Sequence, residues 1–118
     1  MNLPPIDPRE AACRDLDLDL WFATGDVGDH DYTEEQQIAV EICRRCPVID
    51  PCRQWALDNI SAAYGGTFGG LTDADRRHVR RGTPPRRMFR EMPASAKLRA
   101  NFLIRKRDQQ EEEDAAAV

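Results

Sequence analysis

The sequence predicts an all-α fold: a small domain of three to four short helices organised around four cysteines. Three observations carry that expectation. Helix-start signals open three segments, at Thr33, Asp50 and Thr72, while β patterning is confined to residues 16–20. Every thiol belongs to one set, Cys13, Cys43, Cys46 and Cys52, spaced C-x29-C-x2-C-x5-C. The chain has 118 residues, enough for one domain with a limited core, and a bound metal or cluster commonly offsets such a deficit.

Residues 1–12 hold Pro4, Pro5 and Pro8 and read as an extended lead-in. Leu16, Leu18 and Leu20 alternate with aspartates, but Trp21 and Phe22 follow at once, so a turn or short helix is expected. Residues 24–31, rich in Gly and Asp, read as a loop. The first clear helix starts at Thr33, whose pairing with Gln36 is a capping-box pattern; Glu34 and Glu35 suit the positive end of the helix dipole. Ile38 and Ile42 share a face with Arg45, with Ala39 and Cys43 beside it. Cys43 and Cys46 stand about one turn apart, and Pro47 ends the helix near Cys46. Asp50 as cap and Pro51 at the first helical position open the next helix. There Cys52, Trp55, Ala56 and Ile60 form one stripe, which makes Trp55 core. Residues 61–65 end it. Gly65, Gly66, Gly69 and Gly70 around Thr67 and Phe68 form a tight turn that presents Phe68. Thr72 caps a third helix to about Arg81, closed by Gly82 and kept from restarting by Pro84 and Pro85. Residues 95–110 suit a fourth helix with Leu98, Phe102 and Ile104 as a partial apolar stripe. The acidic residues 111–118 read as disordered.

This divides the chain into a lead-in (1–12), a cysteine domain (13–82) and a basic segment with an acidic tail (83–118). The formal net charge of −4 hides a split. Residues 1–35 carry ten acids against Arg9 and Arg14, while residues 76–107 carry twelve bases against Glu91 alone. Such a lopsided run suits a nucleic-acid surface, so Arg76, Arg77, Arg80, Arg81, Arg86, Arg87 and Arg90 are candidate DNA contacts. Residues 80–87 loosely resemble an AT-hook, with Thr83 where its second arginine would stand. Trp21 and Phe22 suit either the core or a partner surface. His30 and His78 lack ligand spacing. No apolar run is long enough to span a membrane and the first ten residues lack signal-peptide character, so a cytoplasmic location is expected.

Thiolates are soft ligands, and four of them select zinc or an iron–sulfur cluster. Zinc sites usually show two tight pairs, whereas here one pair is tight and the fourth cysteine remote. A cubane cluster can draw ligands from two helices and a distant loop, so spacing leaves both open, with disulfides third. A dithiol redox pair at Cys43 and Cys46 would need a strand–helix–strand context that the sequence lacks. No nucleophile–base–acid set is present, and the glycine turn lacks the lysine of a phosphate loop. An enzyme acting on a small-molecule substrate is not expected.

Cys13-Arg14-Asp15, the aromatic pair Trp21-Phe22, Cys43-x-x-Cys46-Pro47-Val48-x-x-x-Cys52, Trp55-Ala56-Leu57, the glycine–aromatic turn and Leu71-Thr72-x-x-x-Arg76-Arg77 occur in that order. Together they resemble the WhiB-like family of actinobacterial and phage regulators, over about residues 13–81. The resemblance implies a [4Fe–4S] cluster held by Cys13, Cys43, Cys46 and Cys52. It also implies a transcription regulator that docks on the C-terminal domain of the principal sigma factor of RNA polymerase and contacts promoter DNA. Trp21, Phe22 and Phe68 would then form the sigma patch, with Gly66, Gly69 and Gly70 shaping the turn. The family's turn carries Trp where this chain has Phe68, which keeps the apolar face and loses the indole N–H. An exposed thiolate-ligated cluster would be open to oxygen or nitric oxide, so redox sensing is a further expectation. The alternative is a zinc-stabilised DNA-binding module that works without sigma factor, or a dithiol redox protein.

Overall fold

The computed structural model describes residues 4–22 and 31–117; of the loop expected at 24–31, residues 24–30, with His30, lie outside them. Five α-helices follow in order: α1 (Leu18–Trp21), α2 (Glu34–Arg44), α3 (Ile49–Asp58), α4 (Asp73–Arg80) and α5 (Ala94–Ala116). Short 3-10 turns cover Pro8–Glu10 and Arg86–Phe89. Among the described residues there is no strand, and one antiparallel bridge joins Phe68 to Leu71.

α2 begins where its capping box places it. Thr33 Oγ1 accepts from the Gln36 amide at 3.2 Å, and Gln36 Oε1 accepts from the Thr33 amide at 2.9 Å. The same device opens α4, where Thr72 and Asp75 bond reciprocally. α3 departs from expectation. It starts at Ile49 with Val48 as a cap that offers no side chain, so Asp50 and Pro51 both lie inside the first turn. Proline is tolerated there because first-turn amides have no intrahelical partner.

The core lies where α2 meets α1 and α5. Ala39 and Ile42 of α2 pack with Ala12, Trp21 and Ala100, and a neighbouring cluster joins Val40 to Tyr32, Met92 and Ala96. α5 therefore contributes small residues, Ala96 and Ala100, and lies close to α2. The expected stripe of Leu98, Phe102 and Ile104 is corrected: Leu98 and Phe102 face solvent, and Ile104 alone is partly buried against the core. Phe102 instead lies under Arg99 and Lys106 at 5.8 and 6.0 Å from its ring centre.

The acidic end is helical to Ala116, which corrects the expectation of disorder from residue 111. Arg14 donates two bonds to Glu111, both at 2.9 Å. Gln110 bonds Asp114 one turn on at 3.0 Å. Glu, Gln and Ala are strong helix formers, and this anchor gives their propensity a fixed end.

Candidate metal centre

The four cysteines come from three pieces of chain. Cys13 sits in the turn after Pro8–Glu10, which Asp15 closes with a left-handed φ of 57°. Cys43 lies in the last turn of α2, Cys46 in the turn after it and Cys52 in α3. The structure brings all four to one cavity of about 160 Å³, walled by apolar side chains such as Leu16, Trp21, Val48 and Ile49. None is in a disulfide; Cys43 is buried and Cys13 exposed.

Burial acts on these thiols first. It pushes Cys43 up to about 12 and raises Cys13 and Cys52. Hydrogen-bond donors act against it. The Gly70 amide favours the Cys43 thiolate and the Gly69 amide favours that of Cys52. The Ala12 amide donates to Cys46 Sγ at 3.4 Å. The Trp21 indole N–H also favours the Cys43 thiolate, and it is buried without another partner among the described residues. Amide donors aimed at sulfurs in an apolar cavity suit thiolates whose charge is shared with bound metal. The donor set therefore fits a thiolate-ligated group. Among the described residues, no three His, Cys, Asp or Glu side chains converge as a single-ion site.

The glycine turn makes two of those contacts possible. Gly69 has φ +60°, and a Cβ there would lie 2.3 Å from Arg53 Cα of α3. The turn is tied from both sides: the Thr67 amide donates to Trp21 O at 2.8 Å, and Arg53 donates to Gly69 O at 2.7 Å. Gly66 packs so closely that a Cβ would meet the Phe68 ring at 2.5 Å.

One aromatic expectation and two arginine expectations meet buried side chains. Trp21 is buried, so it is core rather than open surface. Phe68 is partly buried, edge-on to Phe22 at 6.0 Å and to Trp55 at 5.8 Å. Phe22 remains about half exposed. Leu18, one turn before Phe22, is exposed and lines the same cavity. Its i, i+4 spacing from Phe22 was the available signal, hidden by the short alternating run. Arg76 is fully buried: it donates to Leu71 O at 2.7 Å and Ala63 O at 2.6 Å, with its guanidinium 5.6 Å from the Phe68 ring centre. Arg87 is buried on Asp75 at 2.8 Å and covers the Tyr32 ring at 4.6 Å. Tyr32 Oη donates to the same Asp75 at 2.6 Å. These two arginines hold the turn and the basic segment in place with inward-facing guanidinium groups.

Arg77, Arg80, Arg81, Arg86 and Arg90 are exposed. Arg77 bonds Asp73 at 2.7 Å, Arg80 donates to Leu57 O at 2.7 Å, and Arg90 pairs with Asp31 at 2.8 Å. Among the described residues no helix is long and apolar enough to cross a membrane.

The class of protein that fold and site define is a small helical domain that gathers four thiols at one apolar cavity. The family model for transcription factor WhiB matches residues 8–79, and the chain belongs to the WhiB family. The redox- and pH-responsive transcriptional regulator WhiB3 of Mycobacterium tuberculosis is 36% identical over 74 residues, covering 63% of this chain and 71% of the relative. Transcriptional regulator WhiB1 of Bifidobacterium longum is 43% identical over 74 residues, 61% of this chain and 74% of the relative. Transcriptional regulator WhiB4 of M. tuberculosis is 38% identical over 68 residues, 58% and 49%. No solved structure matches the chain significantly. The family places the chain among transcription regulators and points away from catalysis. α5 and the Arg86–Phe89 turn lie beyond the family match.

Proposed function

We propose that Cys13, Cys43, Cys46 and Cys52 hold a [4Fe–4S] cluster, and that the chain regulates transcription initiation by docking on the C-terminal domain of the principal sigma factor and contacting promoter DNA. The observation that carries the cluster is the convergence of four thiols on one apolar cavity, with amides of Ala12, Gly69 and Gly70 directed at three of them. When bound, the cluster supplies a redox-active iron centre.

The chain's own residues do the rest. Leu18, Phe22 and Phe68 surround the cavity and offer an apolar surface next to it, suited to the sigma domain. Trp21 supports that surface from beneath through the bond its carbonyl makes to Thr67. Arg77, Arg80, Arg81, Arg86 and Arg90 meet phosphates. Cys13 is the exposed ligand, so an oxidant or nitric oxide reaches the site there, and the named redox response of the WhiB3 relative supports the same role here.

Metal analysis and visible absorbance of protein purified without air test the reading. About four irons per chain and a brown colour that bleaches in air are expected. Colourless protein with one zinc would overturn the cluster and the redox response. Capture of sigma factor should weaken with Phe22→Ala; unchanged capture would remove the proposed patch.

A further inference from the structure

Outside the family match, α5 reaches back to the turn that carries Cys13. Arg107 is buried, and its Nη1 donates to Ala12 O at 2.8 Å and to Arg14 O at 2.7 Å, the carbonyls on either side of Cys13. Ala12 is also the residue whose amide meets Cys46 Sγ. One peptide segment is thus held by a cysteine on its N–H side and by α5 on its carbonyl side. Arg14 returns the contact. Its guanidinium grips Glu111 of α5 through two bonds and donates to Ala11 O at 3.0 Å. Two arginines cross between the elements in opposite directions, and each closes on backbone of residues 11–14.

We infer that α5 is a latch on the Cys13 turn, with Arg107 as a positioning residue for the Cys13 thiol. The inference rests on reading the four cysteines as a ligand set. Cys13 is the remote member, 30 residues before Cys43, and it lies in a turn outside the regular helices. A short turn closed by a few amide bonds opens readily unless something outside it fixes its carbonyls. Arg107 supplies that fixation through charge-assisted bonds to neutral acceptors. The coupling runs both ways. Whatever displaces Cys13 pulls on the carbonyls that hold Arg107, and loosening α5 frees the Cys13 turn. The outer face of α5, with Leu98, Arg99, Phe102 and Lys106, is thereby tied to the state of the thiol site.

Segment-resolved amide exchange on the full chain, with the bleaching rate of the visible absorbance in air, tests the latch in Arg107→Ala, Arg107→Lys and Glu111→Gln. The reporters are the amides of Ala12, Arg14 and Leu16, bonded to Cys46 Sγ, Ala11 O and Cys13 O. Arg107→Ala should speed their exchange about tenfold or more while α3 keeps its protection. Arg107→Lys, which keeps one donor point, should fall between that variant and the parent. Glu111→Gln, a change at a half-exposed side chain that leaves the core intact, should give a smaller effect in the same residues. Brown protein should bleach faster in the same order. Unchanged exchange at residues 12–16 in Arg107→Ala and Glu111→Gln would overturn the latch. So would an equal acceleration in α3, which marks general loss of stability. If Arg107→Ala does not fold, the Glu111→Gln comparison decides. Colourless parent protein would refute the cluster reading, and the exchange arm would still decide the latch.

Discussion

Replacing Arg76 with alanine separates a structural arginine from a DNA-binding one. Its guanidinium is fully buried and donates to the carbonyls of Leu71 and Ala63 at 2.7 and 2.6 Å. Truncation removes two charge-assisted bonds and leaves both carbonyls in the interior without that donor. Bonds of this kind contribute about 1.5–3 kcal/mol each, and breaking a buried charged contact costs about 3–5 kcal/mol in total. A domain of this size has about 5–15 kcal/mol to lose. At a typical urea dependence, the unfolding midpoint should fall by roughly 2–3 M. Arg77→Ala is the control. Its partner is Asp73 and its side chain is half exposed, so its loss should cost below about 1 kcal/mol. Urea unfolding followed by far-ultraviolet circular dichroism, at equal metal content, measures both. If Arg76→Ala unfolds within about 0.5 kcal/mol of the parent yet loses affinity for DNA, the burial argument is wrong and the side chain acts outward.

Gly69→Ala should destabilise by about 2–4 kcal/mol, because φ +60° disfavours a side chain and the new Cβ would collide with Arg53 backbone; a thermal midpoint equal to the parent's would refute it. The Arg14 guanidinium beside Glu111 holds its carboxyl below the ordinary 4.5. Folding is therefore supported by the ionised carboxylate above that pH, and the support is lost as pH falls through the lower folded value. Exchange protection at residues 108–114 should thus decline on acidification below 4.5 and should do so less in Glu111→Gln; a flat profile in the parent would refute the clamp.

The parts of the fold legible in the sequence are those decided locally. The Thr33 and Thr72 caps close on residues three positions away, so α2 and α4 begin where the pattern puts them. Pro51 misled because one proline fits several first-turn positions, and α3 starts two residues before it, at Ile49. The tail misled for the opposite reason. Residues 111–114 are all acidic, a composition that reads as solvated chain, and what orders them is Arg14, nearly a hundred residues away. Pattern along a chain does not carry such a long-range ion pair.

The site shows the same division at the level of charge. Four thiols with no competing cysteine announce themselves by spacing, and the structure gathers all four at one cavity. Arginines carry no such label. Arg76 and Arg77 are adjacent and chemically identical, yet one is sealed beneath the glycine turn and the other lies on the surface. Helix phase decides between them. Residue 76 follows Thr72 by one turn on the side that faces Ala63 and Phe68, while residue 77 is rotated about 100° away. Of the seven arginines expected on DNA, the two that are buried each hold an element in place: Arg76 the two ends of the glycine turn, Arg87 the segment bearing Arg86 and Arg90. A mutation at either buried position should therefore weaken the proposed partner binding without touching the partner, and only a stability measurement made alongside the binding assay distinguishes that from a lost contact.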